Sequence, residues 1–278
     1  MNAEVMVARC GLVPYGEARA LQRRLEAARQ RGEIADALLL LEHPPVYTRG
    51  RRSAPEELPM GVEWYEMQGI EVHDTDRGGR VTYHGPGQLV AYPIVSLKPY
   101  GDDVHEHVRR LERVAIEALA AHGVEAGTIE GLTGVWTAGA DSFPSGAIEA
   151  GVAAEITGGR LRKIGSIGVH VSRGVTTHGL AVNVNNDLQP FEWIVPCGIE
   201  GARMTSLGRE RGGEQDLAAF ADTVAARFGE VFERAPVDVE QDELLAQAAI
   251  RPAQGDAGAD GSGESGPVAG SGSVRWER

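Results

Sequence analysis

Two periods of apolar spacing alternate along the chain. Residues 4–12 alternate loosely and predict a first strand, and residues 15–31, rich in helix formers with charge pairs four apart, predict a helix. Residues 37–42, ALLLLE, form an apolar run bounded by HPP and read as a buried strand entering an active-site loop or a turn. Two prolines keep 43–50, HPPVYTRG, extended, as a rigid loop or an edge strand. Residues 55–61 read as a surface loop and 70–74 as a short strand. Residues 77–95, RGGRVTYHGPGQ followed by an apolar strand, read as a hairpin whose tight parts hold glycine. Asp102 or Asp103 caps the next helix, with Val104, Val108, Leu111, Ala115 and Leu119 on its apolar face and Gly123 at its end. His105 and His107, two apart on that helix, face different directions and read as surface residues, not a metal pair. Strands over 133–137, 161–171 and 175–185 follow, then an amphipathic helix over 216–232. There is no internal repeat.

The length of 278 residues fits one large domain or two small ones, with 42% hydrophobic and 24% charged residues, ordinary for a globular protein. The alternation breaks down twice. Residues 138–160 are rich in glycine and alanine without a clear period and read as a flexible insertion. Residues 251–278, with 13 Gly, Ser or Pro among 28, read as a disordered tail. The expected organisation is therefore a catalytic domain over 1–235, a C-terminal extension over 236–250 and the tail. No apolar run reaches the roughly 18 residues a membrane span requires. The N-terminus lacks a basic region followed by a long apolar run, so no secretory signal is expected and cytoplasm is the simplest compartment.

The formal net charge is −13, of which −5 lies from position 236 onward. That balance argues against nonspecific nucleic-acid binding. Basic residues cluster locally, at Arg49, Arg51 and Arg52 and again at Arg77 and Arg80. They are either solvated loop charges or a landing patch for an acidic partner. Two cysteines cannot build a disulfide framework or a four-thiolate zinc site. Cys10 falls in the first strand and reads as structural. Cys197 lies between Pro196 and Gly198, in FEWIVPCGIEG. It is either a small buried hydrophobe or a nucleophile at a corner where backbone N–H groups are free.

Two other places carry chemistry. Four glycines with Arg, Tyr and His within 77–88 make either an ordinary hairpin or a pocket wall. In LRKIGSIGVHV, alternation puts Lys163 on one face with Gly165, Ile167 and Val169. That ammonium either snorkels to the edge or is held inside against a partner such as a thiolate.

Three segments together, RGGRVTYHGPGQLVAYPI, KIGSIGVHVSRGVTTHGLAVNVNNDL and IVPCGI followed by TSL, resemble the octanoyl-[acyl-carrier-protein]:protein N-octanoyltransferases, also called lipoyl(octanoyl) transferases. HPPVYTRG fits the same family, and the resemblance covers about residues 37–207. It implies a single α+β domain with a central mixed β-sheet flanked by helices, as in biotin and lipoate protein ligases. It implies that Cys197 carries the octanoyl group as a thioester with Lys163 beside it. It implies substrate-binding segments at Arg77, Gly78, Gly79, Arg80, Val81, Thr82, Tyr83 and His84, at Ser166, Ile167 and Gly168, and at Gly179, Leu180 and Ala181. The partners so implied are acyl carrier protein as donor and, as acceptors, the lipoyl domains of 2-oxoacid dehydrogenase E2 subunits and the glycine cleavage H protein. No ATP or metal is required, because the donor is already activated. The insertion and the tail depart from the family pattern. The glycines at 78, 79, 165, 168 and 179 are expected to leave a slot for an eight-carbon chain. An ATP-dependent ligase of the same fold and a noncatalytic acyl-carrier-binding module are the rivals.

Overall fold

The computed structural model describes residues 3–138, 156, 158–194 and 202–249. The elements run β1 (Ala3–Leu12), α1 (Tyr15–Arg31), β2 (Asp36–Glu42), β3 (Val46–Arg49), α2 (Val62–Met67), β4 (Glu71–Asp74), β5 (Thr82–His84), β6 (Gln88–Ile94) and α3 (Val104–Ala121). Then come β7 (Gly127–Ile129), β8 (Leu132–Thr137), β9 (Arg162–Ser172), β10 (Val175–Asn183), α4 (Gln189–Glu192), β11 (Arg203–Met204), α5 (Leu207–Arg211), α6 (Leu217–Phe232), β12 (Arg234–Asp238) and α7 (Gln241–Ala249).

The apolar run of β2 shows why the architecture has three layers. Successive strand residues point to opposite faces. Leu38 and Leu40 enter a core roofed by α3 and α6, while Leu39 and Leu41 enter a second core roofed by α1. A strand apolar on both faces has to lie inside a sheet covered on both sides. The sheet that results is mixed, in the order β12-β1-β2-β6-β10-β9-β8-β7, with β11 added beside β9. The α+β class with a central mixed sheet is thus the observed one. β12 pairs in parallel with β1, and Leu244 of α7 is buried in the second core, so residues 236–249 complete one flank of the sheet.

A second sheet of three strands, β4-β3-β5, stands beside the first. It corrects two expectations. β3 is its central strand, not an edge, because the prolines precede the paired residues. β5 and β6 are not a hairpin: β5 pairs with β3, whereas β6 pairs with β2 and β10. The Gly85-Pro86-Gly87 turn carries the chain from one sheet to the other.

Capping fixes the helix that matters most for the site. Asp103 is the N-cap of α3, its carboxylate accepting from the N–H groups of His105 and Glu106. The expectation that His107 lies on the surface is overturned: it is fully buried, edge-on to Phe232 at 5.5 Å between ring centroids. Neither ring nitrogen has a hydrogen-bond partner among the described residues. Burial, with Arg110 nearby, pushes its pKa down to about 4. The unfolded chain therefore binds the extra proton between about pH 4 and 6.5, and stability falls as pH drops through that window. His107→Leu should keep stability at pH 7 and remove an acid-side loss on the order of 3 kcal/mol. Urea unfolding at pH 7 and pH 4.5 measures this, and an equal acid loss in both proteins would refute it.

Candidate active site

Lys163 is the second residue of β9, where the strand is paired on both sides. Trp136 of β8 is its partner on one side and Met204 of β11 on the other. Its side chain is only 3% exposed. A buried ammonium needs hydrogen bonds and countercharge. Nζ donates to the Thr133 carbonyl at 3.1 Å and lies 5.4 Å from the centroid of the Trp136 ring. The Lys163 carbonyl accepts from the Thr205 N–H at 2.9 Å. The interior reading of this lysine is the observed one.

Lys163 lines a cavity of about 470 Å³ whose walls come from β9 and β10, the RGGR loop and the first turns of α1 and α3. Ile167 and Val169 share its face of β9 and line the same space, as alternation requires. The two β-strand triplets expected at the site are cross-strand partners. Ser166 pairs with Ala181, Ile167 with Leu180 and Gly168 with Gly179, and all six line the cavity. Arg77, Gly78, Gly79 and Arg80 form its rim, followed by Val81, Thr82 and His84. Tyr83 is not among the lining residues. It is buried in a separate core, packed against Tyr47 and Phe191. Period 2 explains this, since Thr82 and His84 share one face of β5 and Tyr83 takes the other.

The slot expected from missing side chains takes a different form. A Cβ on Gly168 would lie 3.0 Å from the Gly78 carbonyl oxygen and 3.1 Å from Arg77 Cδ. One on Gly179 would stand 2.6 Å from Pro93 Cδ and closer still to the Ala91 carbonyl. These glycines let backbone approach backbone. Gly78 N–H donates to the Val169 carbonyl at 2.9 Å, which moors the RGGR loop on β9.

The arginines divide into two groups. Arg77 is buried, and its guanidinium donates to the Thr48 carbonyl at 2.6 Å and the Thr48 hydroxyl at 2.8 Å. Arg80 is paired with the buried carboxylate of Glu57 at 2.5 Å, and Arg49 with Asp74 at 2.8 Å. Arg51 and Arg52 are exposed and form no ion pair among the described residues. Their backbone N–H groups donate to the carbonyls of Arg77 and Gly79 at 3.0 Å, so the TRGRR and RGGR loops form one rim.

His84 and His178 line the cavity at its polar end, and His43 packs behind His84 with ring centroids 5.6 Å apart. Gln88 donates its amide to the Tyr83 carbonyl and to Asn183, so its carbonyl oxygen faces His84 Nδ1 at 2.7 Å. His84 therefore carries its proton on Nδ1, and Nε2 holds the lone pair. Burial, with His43 close by, pushes its pKa well below the ordinary value. His43 donates from Nδ1 to the Val13 carbonyl and accepts from the Tyr92 hydroxyl, and burial lowers its pKa to about 4. His178, with φ of +57°, contacts Asp76 at 2.8 Å and is lowered by burial to about 4. All three are neutral at pH 7. The sequence reading missed Tyr15, Tyr92 and His178 as cavity residues, along with the α3 tip at Val104, His105 and Val108. No local signal marks the helix tip, because Val104 and Val108 read as part of its apolar face.

Cys197 lies outside the described residues, as do 139–155 of the insertion and the tail. Its C-terminal flank is anchored beside Lys163: Met204 pairs with Lys163, and the Thr205 carbonyl accepts from Asn183 Nδ2 at 3.0 Å. Cys10 is half-buried, donates weakly to the Ala8 carbonyl and is pushed up to about 11 by burial, which suits a structural thiol. Among the described residues, no group of three or more His, Cys, Asp or Glu could hold a metal ion. No helix there is long and apolar enough to cross a membrane.

Residues 14–229 match the lipoyl protein ligase A/B catalytic domain, and the chain belongs to that family. An octanoyltransferase of Chloroflexus aurantiacus is 44% identical over 227 residues, covering 81% of this chain and 93% of its own. One from Mycobacterium sp. (strain KMS) is 46% identical over 224 residues, covering 80% and 83%. Among solved structures, the bi-partite lipoate protein ligase of Thermoplasma acidophilum superposes with a TM-score of 0.62 at 15% identity, over 89% of this chain and 91% of that one. A lipoate-protein ligase A bound with ATP gives 0.60 at 16% identity, over 89% and 93%. At such identities the likeness is one of fold, and the ligase-like architecture expected from the resemblance is borne out. The activity that follows from the curated relatives is octanoyl transfer in protein lipoylation, an acyltransferase reaction between an acyl donor and a lipoyl-accepting protein.

The β6–β10 closure gives a direct test. Gly179→Ala places a methyl group against rigid neighbours and should cost about 1–3 kcal/mol while lowering activity, whereas Gly16→Ala, with open space around it, should not. Urea midpoints of the two variants decide it, and a Gly179→Ala protein as stable as the parent would rule the packing argument out.

Proposed function

We propose that the chain takes an octanoyl group from octanoyl-acyl carrier protein onto Cys197 as a thioester and passes it to a lysine of lipoyl domains. The acceptors are the 2-oxoacid dehydrogenase E2 subunits and the glycine cleavage H protein. The observation that carries this reading is Lys163. An ammonium is held at the wall of a largely apolar cavity, and the chain that follows Cys197 is fastened to its backbone. A free thiol has a pKa of about 8.5, and a neighbouring cation favours the thiolate.

In the first step the Cys197 thiolate attacks the donor's thioester carbonyl. A C–S bond to Cys197 forms, and the C–S bond to the carrier breaks as its thiolate leaves. One thioester replaces another, so the driving force is small. In the second step the acceptor attacks the acyl-enzyme as its neutral amine: a C–N bond forms, the C–S bond breaks, the thiolate of Cys197 returns, and the proton lost by the nitrogen passes to solvent, balancing the one the carrier's thiolate takes up. A thioester becomes an amide, which is downhill, so neither ATP nor a metal is needed. The oxyanion of each step requires N–H donors, each worth roughly 2.7–4 kcal/mol. Arg77 to His84, apart from Tyr83, together with Ser166 to Gly168 and Gly179 to Ala181, form the walls that hold the acyl chain. Each buried methylene contributes about 0.8 kcal/mol. The catalytic unit is 1–235, with the rest of β12 and α7 completing its sheet, and the setting is the cytoplasm.

Mixing the protein with octanoyl-acyl carrier protein should raise its intact mass by one octanoyl group without AMP release, and Cys197→Ala should acquire none. An adduct on the alanine variant, or a requirement for ATP, would overturn the reading. Arg51 and Arg52 are the rim guanidinium groups that form no ion pair among the described residues, and they suit an acidic carrier. Reversing both charges should raise KM for the carrier about tenfold at low salt, with the difference shrinking at high salt. An unchanged KM would remove the docking role.

A further inference from the structure

One peptide group links Lys163 to a carboxylate on α3. Glu112 is buried, at 8% exposure, and its Oε1 accepts from the Gly134 N–H at 3.0 Å. The other end of the same peptide unit is the Thr133 carbonyl, which accepts from Lys163 Nζ at 3.1 Å. The order is carboxylate, N–H, C=O, ammonium. A negative charge at the N–H end polarises the peptide, makes its carbonyl a better acceptor and strengthens both hydrogen bonds. The backbone is shaped for this arrangement. Gly134 has φ of +126°, and a Cβ there would stand 2.6 Å from Lys163 Cε and 2.7 Å from the Gly165 carbonyl oxygen. Burial pushes the Glu112 carboxyl up, while the Gly134 N–H and Lys163 pull it back.

We propose that Glu112 is a positioning residue for Lys163, acting through the Thr133–Gly134 peptide to hold that side chain in place and in its ammonium form. This rests on the reading of Lys163 as part of the reacting site. Among the described residues, the other charged groups nearby have their own engagements or stand further out. Arg162, the next residue on β9, pairs with Glu210 of α5 at 3.0 Å, and Glu210 also accepts from the Thr205 hydroxyl. Arg109, one turn before Glu112, acts on the same carboxylate from the helix. His105 stands at the mouth of the cavity, and Arg77 across it is bound to Thr48.

The chain makes the test clean, because only two of its 27 basic residues are lysines, Lys98 and Lys163, and Lys98 is exposed. Full-length protein labelled with ε-13C-lysine should give two signals, assigned by Lys163→Met. Glu112→Gln keeps an oxygen to accept from Gly134 and removes the charge. In it the Lys163 signal should titrate about one pH unit lower than in the parent, tenfold in the acid constant, with Lys98 unmoved. The alkaline limb of kcat/KM should move with it and the donor KM should not. Glu112→Asp, which keeps the charge, should stay close to the parent. The proposal is overturned if Lys163 titrates alike in the parent and the Gln variant, or if Asp and Gln behave alike. A shifted signal with an unshifted rate limb upholds the contact and removes the reading on which it rests.

Discussion

Burying an ammonium inside a sheet costs several kcal/mol unless its donors and charge are met on the spot. Around Lys163 that requirement organises three elements. β8 supplies the Thr133 carbonyl and the face of Trp136, α3 supplies Glu112, and Thr205, just after β11, takes the backbone carbonyl. Each contact comes from a segment distant in sequence, so the position of the amine is fixed only once β8 has paired onto β9 and α3 has packed against them. The β8–β9 register shifts at the same place, Val135 pairing with Gly165 and Trp136 with Lys163.

The cavity follows from a second constraint, the closeness of backbones. Gly168 and Gly179 face each other in the β9–β10 register, and each accepts a neighbouring main chain where a side chain would stand. The rim loops are then held by hydrogen bonds to backbone, and most rim guanidinium groups are bound to protein. What remains open is a space with Val, Ile and Leu side chains toward the sheet and neutral imidazoles at the polar end. The charged groups of the lining, Lys163 and the rim arginines, stand at its margins.

The sequence made the local features legible and left the pairings hidden. Helix α1 falls at 15–31, as its periodicity and charge pairs indicate, and Asp103 caps α3 as its side chain allows. Lys163 among Gly, Ile and Val was visible as an anomaly. The turn at 85–87 was equally visible, but a turn does not say which strands it joins, and here it joins strands of different sheets. His107 looked exposed because its neighbours on α3 are polar, yet α6 covers it from more than a hundred residues away. Tyr83 was carried into the site by its neighbours, although alternation places it on the other face of β5. Glu112 carries no local mark, because its acceptor role depends on one peptide of β8.

The scarcity of lysine has a chemical consequence for the surface. An amine is a nucleophile whenever it loses its proton, and an activated acyl donor modifies it irreversibly. Guanidinium groups stay protonated at pKa values above about 12 and do not compete. The chain places nearly all of its positive charge on arginine, including the rim that faces the cavity. Of its two lysines, one is enclosed and the other, Lys98, stands on a turn away from the cavity lining. An acyltransferase with so few lysines thus offers its own activated donor few amines to react with.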